Sequence, residues 1–352
     1  MIINLTTSNL CFDDILLVPK QSNIKSRANI SLSSTIGNLN NPTAWISLGI
    51  PVMTAPMEFI NSNEMIIKII DHGGMAFINK FQNDEKRFSQ FKSLPNRIKD
   101  LNRLGFGIDL DEAQNAEFIN KVLSYGVKTL VIDTALGHLE MVVEVIKNLR
   151  SRIPNNIHIM TGNVSSYEAY KNLMDSGADS VRVGIGGGAA CITRIVTGFG
   201  VPVLASVMDI YKHVQNDIVN GIVSDGGIKA NGDIVKALAA GASAVMIGSM
   251  FAGHEECDRQ SDGRFLFRGL ASESIKLDPV NGIATGEEIH HIEGVSGYVE
   301  NKGSIKKTLM GITDNLKSGL SYCGSEDLIS FKKDVSFIQV SSESLKESRS
   351  RI

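Results

Sequence analysis

Eight short apolar runs recur along the 352 residues, each followed by a helix-like stretch. The runs are Pro51–Met57, Met75–Lys80, Leu104–Asp109, Thr129–Thr134, His158–Asn163, Ser180–Ile185, Gly221–Asp225 and Ala244–Gly248. They are mostly continuous rather than alternating, the pattern of parallel strands buried on both faces. Between them, Asn63–Asp71 places Met65, Ile66, Ile69 and Ile70 at helical spacing and stops at Gly73; Leu139–Leu149 and Asp233–Ala240 are similar, the latter stopped by Gly241. Eight strand-then-helix units predict an α/β chain closed into a (β/α)8 TIM barrel. An open doubly wound sheet is the alternative, disfavoured because no early GxGxxG is present. The barrel is expected to occupy residues 1–331 as one domain. Residues 332–352, rich in Ser, Lys and Glu, are expected to form a mobile tail.

Composition narrows the class. With 43% apolar and 21% charged residues the chain reads as an ordinary soluble protein. Its formal charge of −3 gives no pull toward nucleic acid or an anionic membrane. No apolar run approaches the roughly 18 residues of a membrane span, and Met1-Ile2-Ile3-Asn4-Leu5 does not open a secretion signal. Cys11, Cys191, Cys257 and Cys323 are too scattered for a zinc site or a CxxC pair. A reducing, cytoplasmic setting is expected.

In such barrels the chemistry gathers at the C-terminal ends of the strands. Here those ends carry Met57-Glu58, Asn79-Lys80, Asp133-Thr134, Gly162-Asn163, Gly186–Cys191, Asp225-Gly226-Gly227 and Gly248-Ser249. Seven polar or glycine-rich ends on one face point to a site. The segment Val181 to Arg194 is the most specific: an apolar run ends in four glycines within five residues, then Cys191 and Thr193. Glycine lets the backbone turn sharply toward a ligand, and a cysteine on such a loop suits an exposed nucleophile. The same segment also fits a turn followed by a small buried cysteine. Ser224-Asp225-Gly226-Gly227-Ile228 and Met246-Ile247-Gly248-Ser249 end the last two strands, where barrels often bind phosphate through backbone amides. Asp225 suits sugar hydroxyls. Asp133 fits either a second ligand or a helix start. His138 reads as a helix-entry residue, and His290 and His291 as solvated.

Together these motifs resemble the inosine monophosphate dehydrogenase and guanosine monophosphate reductase family. The match runs from Leu10-Cys11-Phe12-Asp13-Asp14 to Ser321-Tyr322-Cys323-Gly324 and includes Thr54-Ala55-Pro56-Met57, Gly162-Asn163-Val164, Phe267-Arg268-Gly269 and Glu293-Gly294. The resemblance implies a homotetramer of barrels that binds a purine nucleoside monophosphate and a nicotinamide cofactor. It implies that Cys191 attacks purine C2 to form a covalent thioimidate. Asp225 would hold the ribose, Gly227, Gly248 and Ser249 the phosphate, with Met57, Asn163, Arg268 and Gly269 also on the nucleotide. Asp133, Thr134 and Gly137 would lie on the cofactor. Carbonyls of Gly186, Gly188 and Cys191 would hold a monovalent cation, K+.

The resemblance divides into two branches. Residues Phe81 to Leu104 are too few for the regulatory insertion usual in the dehydrogenases. Those enzymes also carry an Arg-Tyr pair on a flap; the corresponding residues 272–292 contain neither Arg nor Tyr. The reductases use a Thr and a Glu, matched here by Thr193 and Glu293. The expectation is reductive deamination of GMP to IMP and ammonia with NADPH. The alternatives are IMP oxidation to XMP with NAD, or a divergent member acting on a deoxy or modified purine nucleotide. Divergence is suggested by Ala189 in place of a phosphate-facing Ser, Phe267 in place of Tyr, Glu58 in place of Asp and His290 in place of Arg. Gly73 to Lys80 also looks more like the dehydrogenase branch. Two lost donors would weaken nucleotide binding by about 1–3 kcal/mol if nothing replaced them.

Overall fold

The computed structural model describes residues 10–348 other than 215, 217, 270 and 278–289. The eight runs form one parallel sheet: β1 (Val52–Thr54), β2 (Ala76–Ile78), β3 (Leu104–Ile108), β4 (Thr129–Ile132), β5 (His158–Val164), β6 (Ser180–Val183), β7 (Ile222–Asp225) and β8 (Ala244–Ile247). From β2 to β8 each pairs with its neighbour in sequence, and β8 pairs back onto β1. A parallel bridge between Met53 and Met75 closes the circle. The barrel expected from the repeated strand-then-helix pattern is therefore the observed fold.

The outer layer follows from the helical spacings. It comprises α1 (Asn63–Asp71), α2 (Asp84–Ser93), α3 (Ala116–Ser124), α4 (Glu140–Arg152), α5 (Tyr167–Asp175), α6 (Val203–Val214), α7 (Asn231–Ala239) and α8 (Ile305–Ser321). In α1, the Ser62 hydroxyl caps the Met65 amide at 3.1 Å, and Met65, Ile66, Ile69 and Ile70 are fully buried against the strands. Each such side chain contributes on the order of 1.5–3 kcal/mol. Because both strand faces are covered, strand residues read as unbroken apolar runs.

Two cores result. One lies between strands and helices; the other fills the barrel interior with Met53, Phe77, Val131, Met160, Val223, Ala244 and Met246. The interior core continues into Ile36, Ile46 and Leu48. These belong to a hairpin, Ser34–Ile36 with Ile46–Leu48, that precedes the barrel in sequence and stoppers its N-terminal end. The polar segment after Phe331, expected to be mobile, contains a strand. Phe337–Gln339 pairs antiparallel with Ile15–Leu17, and Phe337 is buried. One aromatic anchor and a backbone ladder hold what the Ser, Lys and Glu count alone could not register.

At the stoppered end His158 is fully buried, with Nδ1 2.8 Å from the Ala44 carbonyl and Nε2 2.7 Å from the Ser180 hydroxyl. Burial holds its imidazole below the ordinary value of 6.5, against the pull of Asp179. A depressed histidine contributes stability that is present above its unfolded value and lost as pH falls toward the folded one. Thermal stability is therefore expected to fall below about pH 6.5, by up to ~1.4 kcal/mol per pH unit for one proton. His158→Gln should flatten that slope; an unchanged melting profile between pH 5 and pH 7 would rule the cause out.

Candidate active site

At the open end, β6 runs out at Val183 and the chain enters the glycine segment. Gly184 has φ +148°, and a Cβ there would stand 2.0 Å from the Asp225 carbonyl oxygen. Only glycine permits β6 and β7 to approach so closely. Gly186 is also left-handed, at φ +74°. The loop is cross-tied: the Gly227 amide donates to the Gly187 carbonyl at 2.8 Å, and the Arg194 guanidinium donates to the Ile185 carbonyl at 3.1 Å. Cys191 emerges half-buried at its end, with its amide donating to the Gly188 carbonyl at 3.0 Å.

A distant segment then docks on this loop. Cys191 and Gly294 form an antiparallel bridge, with the Ile192 amide donating to Glu293 and the Val295 amide to Ala190, each at 2.9 Å. The bridge brings Glu293 across one hundred residues of sequence to Thr193. The Cys191 thiol donates to the Thr193 hydroxyl at 3.2 Å, and that hydroxyl donates to Glu293 Oε2 at 2.7 Å. The result is a continuous proton path from sulfur to carboxylate. Of the expected flap, 272–292, residues 278–289 lie outside the described residues. Its near side is fixed at Ser272, which bridges Gly294.

The other expected residues fall around the same opening. Asn163 Nδ2 donates to Asp225 Oδ2 and to the Gly184 carbonyl, both at 2.8 Å. Burial pushes the Asp225 carboxyl above the usual carboxylate range, against the pull of Arg182 and the Asn163 hydrogen bond. Gly248 follows β8; a Cβ there would meet Met57 Sδ at 3.2 Å and the Phe267 ring at 3.8 Å. Ser249 stands next to it. Gly269 abuts the Ala190 carbonyl, 2.7 Å from where a Cβ would stand. The Arg268 guanidinium is taken up by Glu58 Oε2 at 3.0 Å and the Ser274 carbonyl at 3.0 Å. It holds the strand that delivers Gly269.

Asp133, Thr134 and Gly137 lie on the β4 side. The Thr134 hydroxyl donates to the Gly162 carbonyl at 2.7 Å, and the Gly137 amide to the Asn163 carbonyl at 2.8 Å. Asp133 is 3% exposed; its Oδ1 accepts from Arg182 while its Oδ2 has no partner. Lys80 Nζ donates to the Asp133 carbonyl at 2.7 Å. An orphaned buried acceptor beside a lysine fits a donor-bearing ligand such as a nicotinamide carboxamide. The Gly186 and Cys191 carbonyls accept no hydrogen bond from the described residues and Gly188 accepts one, which leaves these oxygens available to a monovalent cation. No cluster of His, Cys, Asp and Glu suited to a metal ion occurs among the described residues. His138, His290 and His291 are exposed.

Sequence reasoning gave Arg182 no role. Its signal was available: a lone guanidinium between Val181 and Val183 in a buried strand must have a partner.

Comparison with known proteins finds relatives along nearly the whole chain. The family model described as "IMP dehydrogenase / GMP reductase domain" matches residues 9–351. An inosine-5'-monophosphate dehydrogenase of Borreliella burgdorferi is 29% identical, over 98% of this chain and 97% of that protein. GMP reductase 1 of Mus musculus is 32% identical, over 95% of this chain and 96% of that protein. A GMP reductase of Serratia proteamaculans is 31% identical over 95% of each. No helix among the described residues is long and apolar enough to cross a membrane.

Proposed function

Because the chain belongs to the IMP dehydrogenase / GMP reductase family of purine nucleotide oxidoreductases, we propose that it acts as a GMP reductase, converting GMP to IMP and ammonia with NADPH. The hydrogen-bonded path Cys191–Thr193–Glu293 carries the reading. A reductive deamination needs a group that first takes a proton from sulfur and then gives one to the departing amine. The absence of Arg and Tyr from residues 272–292 removes the side chains that the dehydrogenases use to activate water.

In this mechanism the Cys191 thiol loses its proton through the Thr193 hydroxyl to Glu293. The thiolate adds to purine C2. The proton returns from Glu293 through the Thr193 hydroxyl to the 2-amino group, the C2–N bond breaks, and ammonia leaves a thioimidate. A reduced nicotinamide supplies the hydride. Once C2 carries it, the C–S bond breaks and Cys191 is released as thiolate. Asp225 and Asn163 would hold the ribose and base, Gly227, Gly248 and Ser249 the phosphate, and Asp133, Thr134 and Gly137 the cofactor. Main-chain oxygens of Gly186, Gly188 and Cys191 would hold K+, whose charge would steady the loop carrying the nucleophile. Ile195 and Phe199 beside that loop are 82% and 77% exposed, a surface that a homotetramer would cover.

A second reading, oxidation of IMP with NAD, is favoured by the Borreliella burgdorferi relative, which carries the dehydrogenase name and aligns along nearly the whole chain. One assay separates the two. Purified protein with GMP and NADPH should consume the reduced cofactor and release ammonia in equal amounts, faster in potassium than in sodium. NADH formation from IMP and NAD would reverse the assignment. No turnover with GMP but turnover with dGMP would move the substrate to a deoxynucleotide. Inactivity with all of them would end both readings.

A further inference from the structure

We infer that Arg182 is a positioning residue shared by the two halves of the site, reaching through the barrel interior to orient Asp133 while standing as the counter-ion of Asp225. The inference rests on the proposed roles of Asp133 toward the cofactor and Asp225 toward the nucleotide. Arg182 lies on β6 in register with Val223 on β7, an interior residue two positions before Asp225. Strand alternation places the Asp225 side chain on that same face. Its guanidinium bonds to Asp133, at the end of β4, although β5 lies between the two strands. The route is open because β5 carries Gly162, where a Cβ would stand 2.8 Å from Arg182 Cβ.

Both members of the pair are 3% exposed, and each keeps one unpartnered atom, Asp133 Oδ2 and Arg182 Nε. A pair placed only for stability would use its bonding capacity more fully, since an unmade buried hydrogen bond costs about 1–3 kcal/mol. Burial works against the Arg182 charge, but the carboxylates of Asp133 and Asp225 outweigh it. Around Asp225 stand Arg182 from β6, Asn163 from β5 and Asp133 from β4, while Lys80 after β2 serves the Asp133 carbonyl. Arg182 is thus the cation that favours an ionised Asp225, and an ionised carboxylate is what accepts two ribose hydroxyls.

The test uses the full chain with carbon-13-labelled aspartate carboxyls, titrated by infrared spectroscopy without ligand. Asp225→Asn assigns the band. In Arg182→Met that band should titrate higher by about one pH unit or more, a tenfold shift in the protonation equilibrium; in Arg182→Lys it should stay near wild type. An unmoved band in Arg182→Met overturns the inference. Calorimetry should then show GMP and NADPH binding both weakened about tenfold in Arg182→Met and largely restored in Arg182→Lys. A loss confined to one ligand overturns the sharing. Should Arg182→Met not fold, Asp133→Asn/Arg182→Met removes the pair together, and Asp225 must still titrate higher. If wild type binds neither ligand, the proposed function has failed, and the titration alone decides whether Arg182 holds the Asp225 charge.

Discussion

Replacing Cys191 with alanine is expected to lower turnover by at least ~10⁴-fold while leaving nucleotide affinity within about threefold. The sulfur is the only nucleophile on the glycine loop, and nothing adjacent can substitute. Thr193 and Glu293 lie behind it on the proton path, and Asp225 is held by Asn163. The loop itself is fixed by backbone ties, Gly227 to Gly187 and Val295 to Ala190, none of which involves the side chain. Loss of rate without loss of binding therefore separates a chemical role from a structural one. Mass spectrometry of wild type quenched during turnover should show a purine nucleotide adduct on Cys191. An active Cys191→Ala enzyme would remove the covalent route.

Breaking the proton path is the second large effect. Thr193→Val keeps the shape and removes the hydroxyl; Glu293→Gln keeps the hydrogen-bond geometry and removes the carboxylate. Each is expected to lower kcat by about 10²–10⁴-fold with little change in KM, the ordinary reach of general acid–base catalysis. The double variant should be scarcely worse than either single one, because a relay interrupted twice is no more interrupted than once. Additive losses would mean that the two residues act separately. In the proposed mechanism the 2.7 Å bond between them leaves Thr193, which also meets the sulfur, as the contact to substrate and Glu293 as the reservoir. A substrate analogue that does not need amine protonation should recover rate in Glu293→Gln more than in Cys191→Ala.

The barrel was legible because its strands are buried on both faces, which leaves unbroken apolar runs such as Leu130–Ile132 and Val245–Ile247. All eight expected strands are present, and Asn63–Asp71 is a helix with those same bounds. What escaped is what depends on pairing at a distance. The tie between Phe337–Gln339 and Ile15–Leu17 is a backbone ladder between chain ends, invisible to a count of serines and lysines. The Arg182–Asp133 pair spans 49 residues and two strand intervals, so neither partner reveals the other locally. The juxtaposition of Thr193 and Glu293 was expected only through the family resemblance; no periodicity within either segment encodes it. The bridge between Cys191 and Gly294 is the physical cause.

The hairpin Ser34–Ile36 with Ile46–Leu48 seals one end of the barrel with Ile36, Ile46 and Leu48. Side chains fill the barrel interior behind it, so in the proposed reading both ligands gather among the loops at the opposite end. A nucleotide anchored deep by its sugar and phosphate would be trapped beneath whatever arrives after it. Kinetics should accordingly follow a strict queue, nucleotide in first and out last, with the oxidised dinucleotide departing before the purine product.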